Sequence, residues 1–561
     1  MKEIKLDTIR RKILETNRHV LVEGGPGSGK TTIALMKAKQ IIESGLLKRN
    51  QKILFLSFAR ATISRIEEHT KHLIPYEVKR HLEINTYHGF AWQVIQSYGS
   101  LLHGHKSINL ITPPNLAARL ATVDESLRNA WKETLLADEG LLCFDLFCKT
   151  VVEIFTKSAR IAKIISVAYP VIIVDEFQDT DRHEWELIKH IGDNSSVLAL
   201  ADLDQRIYEF RGASITRIPE FVAHFNCEKF TLGKDNNRSP GTDIVKFGDD
   251  LLTGLHKDNK YENVKVVKYR YLREIKDHLR YEVLNSIKRL TKANKNGEWA
   301  LAILVKAKAT TLTVSSFLTN KNIYHEVLID PTGPALSASV IAFLLEPPTE
   351  DYFELVAKKL NNHVKGRKGD KPSQSDLSNA AFIEKVIDGA IPRGTKQKKL
   401  IEEINQLIVE RKKMVLIGVP ETDWLNIRSL FEGCTSDCLK NVYEDAKYLK
   451  LLHKGATLSE SLNELWRLNG TYKGANLAVE NALTQEHFSM VSRLWKGVYI
   501  MNIHKCKGKE FDEVIIWEEP YKQIVFEDSK LQDILALRVA ITRAKSRATF
   551  LTPDWSPSIV L

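Results

Sequence analysis

The octapeptide Gly24-Gly25-Pro26-Gly27-Ser28-Gly29-Lys30-Thr31 fits the spacing G-x-x-x-x-G-K-[ST]. Glycines so placed let successive backbone N–H groups turn inward around phosphate oxygens, the lysine neutralises them, and the threonine hydroxyl can reach Mg2+. Gly25, Gly27, Ser28, Gly29, Lys30, Thr31 and Thr32 are therefore the expected nucleotide-binding residues. A second chemical signal follows at Val171-Ile172-Ile173-Val174-Asp175-Glu176, an apolar run that ends in two carboxylates. Asp175, with Thr31, is suited to hold Mg2+, and Glu176 to polarise an attacking water. The pair of signals predicts Mg2+-dependent hydrolysis of ATP or another NTP.

Such residues need a scaffold that holds them at strand ends. Val20-Leu21-Val22 precedes the glycine cluster, and Thr31–Ser44 reads as a helix that stops at Gly45. Ile53–Ser57, Pro170–Val174 and Val197–Leu200 are short and apolar throughout, as strands buried on both faces are. The alternation of strand and helix returns at Trp299–Val305, Val498–Met501, Val514–Trp517 and Thr549–Leu551. Residues 101–165 and 350–495 carry helical periodicity and little strand signal. The expected fold is α/β, with two P-loop-type domains built on parallel sheets, each interrupted by a helical insertion. The boundaries are 1–100 and 168–237 for the first core with 101–167 inserted, then 238–349 and 496–561 for the second with 350–495 inserted.

Composition narrows the class. The 561 residues are 43% hydrophobic and 27% charged, which excludes a disordered or fibrous chain. Lys and Arg exceed Asp and Glu by 81 to 70, a net charge of +11 that favours a polyanionic partner. The basic stretches His363–Lys371 and Pro392–Lys399 are either solvated linkers or contacts to a phosphate backbone. Six scattered cysteines suit reduced thiols rather than a disulfide framework. No apolar run approaches the roughly 20 residues that span a bilayer, so a cytoplasmic location without membrane contact is expected.

Further motifs surround the two nucleotide signals. They are Ser57-Phe58-Ala59-Arg60, Asn85-Thr86-Tyr87-His88-Gly89-Phe90, Asp175-Glu176-Phe177-Gln178-Asp179-Thr180, and Ala201-Asp202-Leu203-Asp204-Gln205-Arg206-Ile207-Tyr208-Glu209-Phe210-Arg211-Gly212-Ala213. Asn236-Asn237-Arg238-Ser239, Ile503 to Asp512 (IHKCKGKEFD) and Val539-Ala540-Ile541-Thr542-Arg543-Ala544 complete the set. Together and in this order they resemble the motifs of UvrD/Rep-type superfamily 1 helicases, over essentially both α/β cores. The resemblance implies two RecA-like domains that sandwich ATP and step single-stranded DNA through, usually 3′ to 5′. It makes Gln205 the γ-phosphate sensor, Arg238 and Arg543 arginine fingers, and Glu510 the ribose ligand. A guanidinium that arrives only on closure stabilises transition-state charge, an effect of roughly 10³–10⁵ in rate elsewhere. Phe58, Arg60, Tyr87, His88, Tyr208, Phe210 and His504 are implied nucleic-acid contacts, stacking on bases or touching the backbone. The implied partners are single-stranded DNA and single-strand/duplex junctions.

Two other functions stay open at this level. One is a DNA-stimulated NTPase that senses or remodels DNA without processive unwinding, beside a separate nuclease, as compact helicases of Gabija-type phage defence do. The other is a DNA-binding scaffold with a vestigial nucleotide site; RNA is an alternative track. No nuclease pattern follows Arg543, so a nuclease is expected on another polypeptide. The chain also departs from the family it resembles. No glutamine that could read adenine occurs before Gln40, Arg10 lying near the expected place, and where a tyrosine usually stacks on the base it has Asn237. With both readers gone, GTP hydrolysis should run within about tenfold of ATP hydrolysis, or about 1.4 kcal/mol. Steady-state rates with the two nucleotides check this, and a strong ATP preference would contradict it.

Overall fold

Among the described residues, twelve strands form the sheets that carry the motifs. They are β1 (Val20–Glu23), β2 (Ile53–Ser57), β3 (Leu82–Thr86), β4 (Val171–Val174), β5 (Ser196–Ala201), β6 (Glu228–Thr231), β7 (Val264–Tyr269), β8 (Ala300–Val305), β9 (Glu326–Leu328), β10 (Gly497–Asn502), β11 (Phe511–Trp517) and β12 (Ala544–Pro553). The computed structural model describes residues 6–57, 63, 66, 79–103, 108–209, 212–233, 236–257, 259–270, 275–294, 298–328, 332–369, 371–447, 457–488, 495–519, 523–525, 531–555 and 557. The chain divides into two compact units: Met1–Gly99, Cys148–Ile329 and Met490–Leu561 form one, Ser100–Phe147 and Asp330–Ser489 the other.

The first unit contains two six-stranded sheets, ordered β3-β2-β4-β5-β1-β6 and β9-β10-β8-β11-β12-β7. Every pairing within them is parallel. Parallel strands need crossovers, and the crossover helices cover both faces of each sheet. Hence the central strands are apolar at nearly every position: β2 and β8 are buried along their whole length. Val20, Val22, Phe55, Ile173 and Leu198 pack on Ile33 and Leu35 of helix α2 (Lys30–Glu43) in the core of the first sheet. Leu301, Ile303, Ile500 and Ile515 do the same for the second. Parallel order also gathers all C-terminal strand ends of a sheet on one edge, where ligands of such sheets bind.

Among its described residues the second unit is helical apart from a two-stranded pairing of Asn109–Leu110 with Leu141–Leu142. Its centre is the helix Thr332–Leu345, which is buried at almost every residue because its sequence is almost wholly apolar or small. That burial places the start of this unit at Asp330 rather than 350. Cys148 onward joins the sheets, since Val151, Ile154 and Phe155 are buried there, so the earlier insertion closes at Phe147 rather than 167. The basic stretch 363–371 is spent inside this unit. His363 is buried, and Lys365, Arg367, Lys368 and Lys371 pair with Glu384, Asp445, Asp376 and Glu125. Arg393, Lys396, Lys398 and Lys399 of the other stretch are exposed. Among the described residues no helix is long and apolar enough to cross a membrane.

One buried carboxylate fixes the loop that precedes Pro420–Ser429. Asp423 has no exposed surface and accepts from Ile417 N (3.0 Å), Gly418 N (2.8 Å) and Tyr472 Oη (2.8 Å). Gly418 is in the left-handed region (φ +81°), and a Cβ there would strike the Trp466 indole at 2.2 Å. Asp423→Ala strands three donors in a dry interior, so it should cost about 3 kcal/mol, read as a lowered Tm in thermal unfolding of the full chain. An unchanged Tm would contradict the clamp.

Candidate active site

Five of the six strands of the first sheet end directly in motif residues. β1 runs into the phosphate loop, β2 ends at Ser57, β3 runs into Tyr87 and His88, β4 into Asp175 and Glu176, and β5 into Asp202–Gln205, whereas β6 stops at Thr231, short of Asn236. Gly29 caps α2 in the left-handed region (φ +89°) with no side-chain hydrogen bond to the first-turn N–H groups. Space beside Gly25 and Gly29 is open, so these donors face room for an anion. Lys30 Nζ donates to the carbonyls of Gly24 and Gly25 and lies 3.9 Å from Asp202 Oδ2. Ser28 Oγ closes the loop on Gly25 O at 2.9 Å.

Two carbonyls of this loop are held from outside. Gly27 O accepts from Asn237 N (2.9 Å) and Asn237 Nδ2 (3.0 Å). Ser28 O accepts from Arg10 Nη2 at 2.9 Å, and the same guanidinium pairs with Asp7, the N-cap of helix α1 (Thr8–Glu15). The other end of α1 is fixed by Lys37, whose buried ammonium donates to Ile13 O (2.9 Å) and Leu14 O (3.1 Å). Burial pushes Lys37 down to about 8. Arg10 and Asn237, the two positions that depart from the family pattern, are thus both engaged with the loop backbone. Gly27 allows the close approach: its φ is +78°, and a Cβ would meet Arg238 N at 3.0 Å.

The acidic side is a connected ring. Glu176 adopts φ +54°, a left-handed conformation that is strained for a non-glycine residue. Its Oε2 accepts from Gln178 Nε2 at 2.6 Å, while Gln178 Oε1 accepts from Asp202 N at 3.0 Å. Asp202 Oδ2 accepts from Gln205 Nε2 at 2.6 Å. Burial alone would raise the Glu176 carboxyl, but Lys507, Lys30 and Arg543 outweigh it and hold it below the usual range. A general base must be ionised at working pH, and a lowered carboxyl suits that role. Asp175 is buried at the end of β4, and Thr31 stands in the first turn of α2. Among the described residues no cluster of His, Cys, Asp or Glu could cage a metal alone. One hydroxyl and one carboxylate are hard oxygen donors of the kind Mg2+ uses when phosphates complete its shell, so the residues fit that ion.

The second sheet delivers the cations. Phe511 pairs with Ala544 in register, which sets Glu510 and Arg543 side by side at the N-terminal edge. Arg238 docks between them: its Nε donates to Glu510 Oε1 (2.6 Å) and its Nη1 to Thr542 O (3.1 Å). Arg543 Nη2 donates to Gln205 Oε1 of the first core at 2.9 Å. Burial, then the neighbouring Arg238, press Arg543 down to about 10, which leaves it charged at neutral pH. Lys507 Nζ bonds Asp179, reaches Gln205 O at 2.5 Å and stands 3.9 Å from Glu176 Oε2. Every expected catalytic residue lies in this one assembly.

The expected nucleic-acid contacts divide. Tyr208 Oη donates to His504 O at 3.2 Å, so these two meet across the cores, with Lys507 5.1 Å above the tyrosine ring. Burial lowers the His504 imidazole, partly opposed by Asp533. Tyr87, expected as a base contact, is only 2% exposed in this structure, so its ring is buried and not open to a base. The apolar residues that follow it, Phe90 and Ala91, draw the start of its helix inward. His88 is partly exposed next to it. Phe58, Arg60 and Phe210 lie outside the described residues. Sequence reasoning passed over Arg10 as a loop holder, and Gln178, Asp179, Asp202 and Lys507 as site residues. Their signal was available, since all but Arg10 sit inside the quoted motifs.

A P-loop beside a strand-end acid pair, faced by arginines from a second parallel sheet, defines a two-core nucleotide-hydrolysing class of protein. Residues 10–211 match a family described as an AAA domain. A probable DNA helicase II homolog of Rickettsia conorii is 22% identical, the alignment covering 96% of this chain and 90% of the relative. The ATP-dependent DNA helicase Rep of Buchnera aphidicola is 22% identical over 89% of this chain and 85% of its own. The ATP-dependent DNA helicase PcrA of Staphylococcus epidermidis is 19% identical over 89% and 75%. Over most of its length the chain is similar to DNA helicases of the UvrD/Rep type.

Removing the Arg10 guanidinium should loosen the phosphate loop without touching the reacting groups. Arg10→Ala is expected to raise the nucleotide KM about tenfold, equivalent to about 1.4 kcal/mol, with kcat kept within about threefold. A kcat loss at constant KM, measured by steady-state hydrolysis, would refute it.

Proposed function

We propose that this chain is an ATP-dependent DNA helicase that hydrolyses nucleotide between its two sheet cores and moves 3′ to 5′ along single-stranded DNA. The observation that carries the proposal is the bond from Arg543 of the second core to Gln205 of the first. A charge that meets the phosphate sensor only when the cores are together makes hydrolysis depend on core position, and so lets hydrolysis drive movement. In this scheme Lys30 and the loop N–H groups bind the phosphates, Glu176 takes the proton of the attacking water, and Gln205 orients the γ-phosphate. Arg238 and Arg543 stabilise the developing charge, and Glu510 holds the ribose. Thr31 and Asp175 would hold Mg2+, which neutralises phosphate charge when bound. The two six-stranded sheets serve as the two cores, and the stretches Ser100–Phe147 and Asp330–Ser489 as their insertions.

Tyr208 and His504 are the proposed DNA contacts, since they meet at the junction of the cores. The proposed partners are single-stranded DNA and single-strand/duplex junctions; a separate nuclease subunit belongs to the alternative of an NTPase that does not unwind. Hydrolysis should be stimulated by single-stranded DNA, and Lys30→Ala or Glu176→Gln should reduce it at least about 100-fold. Arg543→Ala should cost roughly 10³ in kcat. Hydrolysis assays with DNA and RNA oligomers, beside strand displacement from 3′- and 5′-tailed duplexes, check the proposal. Hydrolysis that ignores nucleic acid, or survives Lys30→Ala, would overturn it.

A further inference from the structure

The turn Leu203–Gln205 after β5 is where the second core grips the first. Three cations converge on it. Lys507 takes Gln205 O at 2.5 Å and Arg543 takes Gln205 Oε1 at 2.9 Å. Arg538, on helix α3 (Leu531–Ile541), takes Asp204 O through Nη1 at 3.1 Å. Arg538 is 2% exposed, among the most deeply buried large side chains of the chain. Its Nε and Nη2 both donate to Asp249 Oδ1, at 3.1 and 2.6 Å. Asp249 lies on the second core's helix Ile244–Thr253. The Asp204 carboxylate waits 3.8 Å from the same Nη2, 58% exposed. One guanidinium is therefore shared between a carboxylate of its own core and the turn of the other.

We infer that Arg538 is a positioning residue for core closure, anchored by Asp249 and docking the Leu203–Gln205 turn so that Gln205 meets Arg543. A guanidinium this deeply buried needs full compensation, and Asp249 supplies it within one core. The remaining Nη1 is directed at the opposite core, and its bond forms only when the cores are together. Asp202 caps the same turn, accepting from Asp204 N, and lies beside Lys30. Arg538 touches neither nucleotide-binding nor proton-transfer groups; it acts through Gln205. The inference rests on the proposed nucleotide-driven closure of the cores and names a device that sets it.

The test uses the full chain with ATP and single-stranded DNA. Asp204→Lys places a cation against Arg538 from a solvent-exposed position, and Asp249→Asn loosens the anchor from a half-exposed one. Asp204→Glu keeps the charge. The DNA-stimulated kcat should fall at least tenfold in Asp204→Lys and threefold or more in Asp249→Asn. Fluorescent-nucleotide affinity should stay within twofold and Tm within about 2 °C, while Asp204→Glu should retain activity. A kcat within twofold of the unaltered chain in both variants overturns the inference, as does a loss that follows Tm or appears equally in nucleotide affinity. Failure of the proposed function itself looks different: the unaltered chain would then show no DNA-stimulated hydrolysis.

Discussion

Three cations of one core bonded to a single turn of the other are the constraint on which the site depends. A cation removed from water must find acceptors, and those of Lys507 and Arg543 are supplied across the junction by Asp179 and Gln205. Arg238 is the counter-case, compensated inside its own core by Glu510. As the proposed fingers, the two differ in compensation: Arg543 would exchange one neutral amide oxygen for an anion, whereas Arg238 would leave a carboxylate, so nucleotide charge would compete with Glu510. Since Glu510 is also the proposed ribose ligand, one molecule can occupy both partners of that ion pair. The pair is then a natural place for nucleotide arrival to be sensed.

Topology explains how one short motif serves two ends of the second sheet. β10 and β11 run parallel with β8 between them, so the segment Ile503–Glu510 must return from the C-terminal edge to the N-terminal edge. Along that return it leaves His504 beside Tyr208, Lys507 between Asp179 and Gln205, and Glu510 against Arg238. Residues three apart in sequence thus report on three places: the proposed track, the acidic ring and the nucleotide pocket. A rigid crossing segment is a physical means of coupling them.

What the sequence disclosed follows from burial. Strands β2, β4, β5, β8, β10 and β11 are enclosed by helices and neighbours, so they are apolar and legible. β3, β6, β7 and β9 are edge strands with alternating or mostly partial burial, and sequences such as Glu228-Lys229-Phe230-Thr231 carry no such run. The proposed catalytic groups were legible because phosphate and water chemistry admits few residue types at few spacings. Tyr87 was misplaced because an aromatic beside a motif looks the same whether its ring faces a base or the core. Arg538 was invisible for the opposite reason: it occurs in the apolar stretch Leu535–Ile541, where only the fold shows that a guanidinium spans two cores.

The exchange of base readers for loop holders has a geometric consequence. Peptide units are planar and trans here, so fixing the Ser28 carbonyl with Arg10 also fixes the direction of the Gly29 N–H on the opposite side of the same plane. Asn237 does likewise for the Gly27 carbonyl and the Ser28 N–H, which turns back towards Gly25 O at 3.3 Å. Glycine-rich loops are conformationally free, and freedom in a phosphate cradle is lost again on binding. External hydrogen bonds to two consecutive carbonyls remove it in advance. Side chains that would otherwise contact a base therefore strengthen the hold on phosphate, which every nucleoside triphosphate shares. The affinity they would add is indifferent to the base.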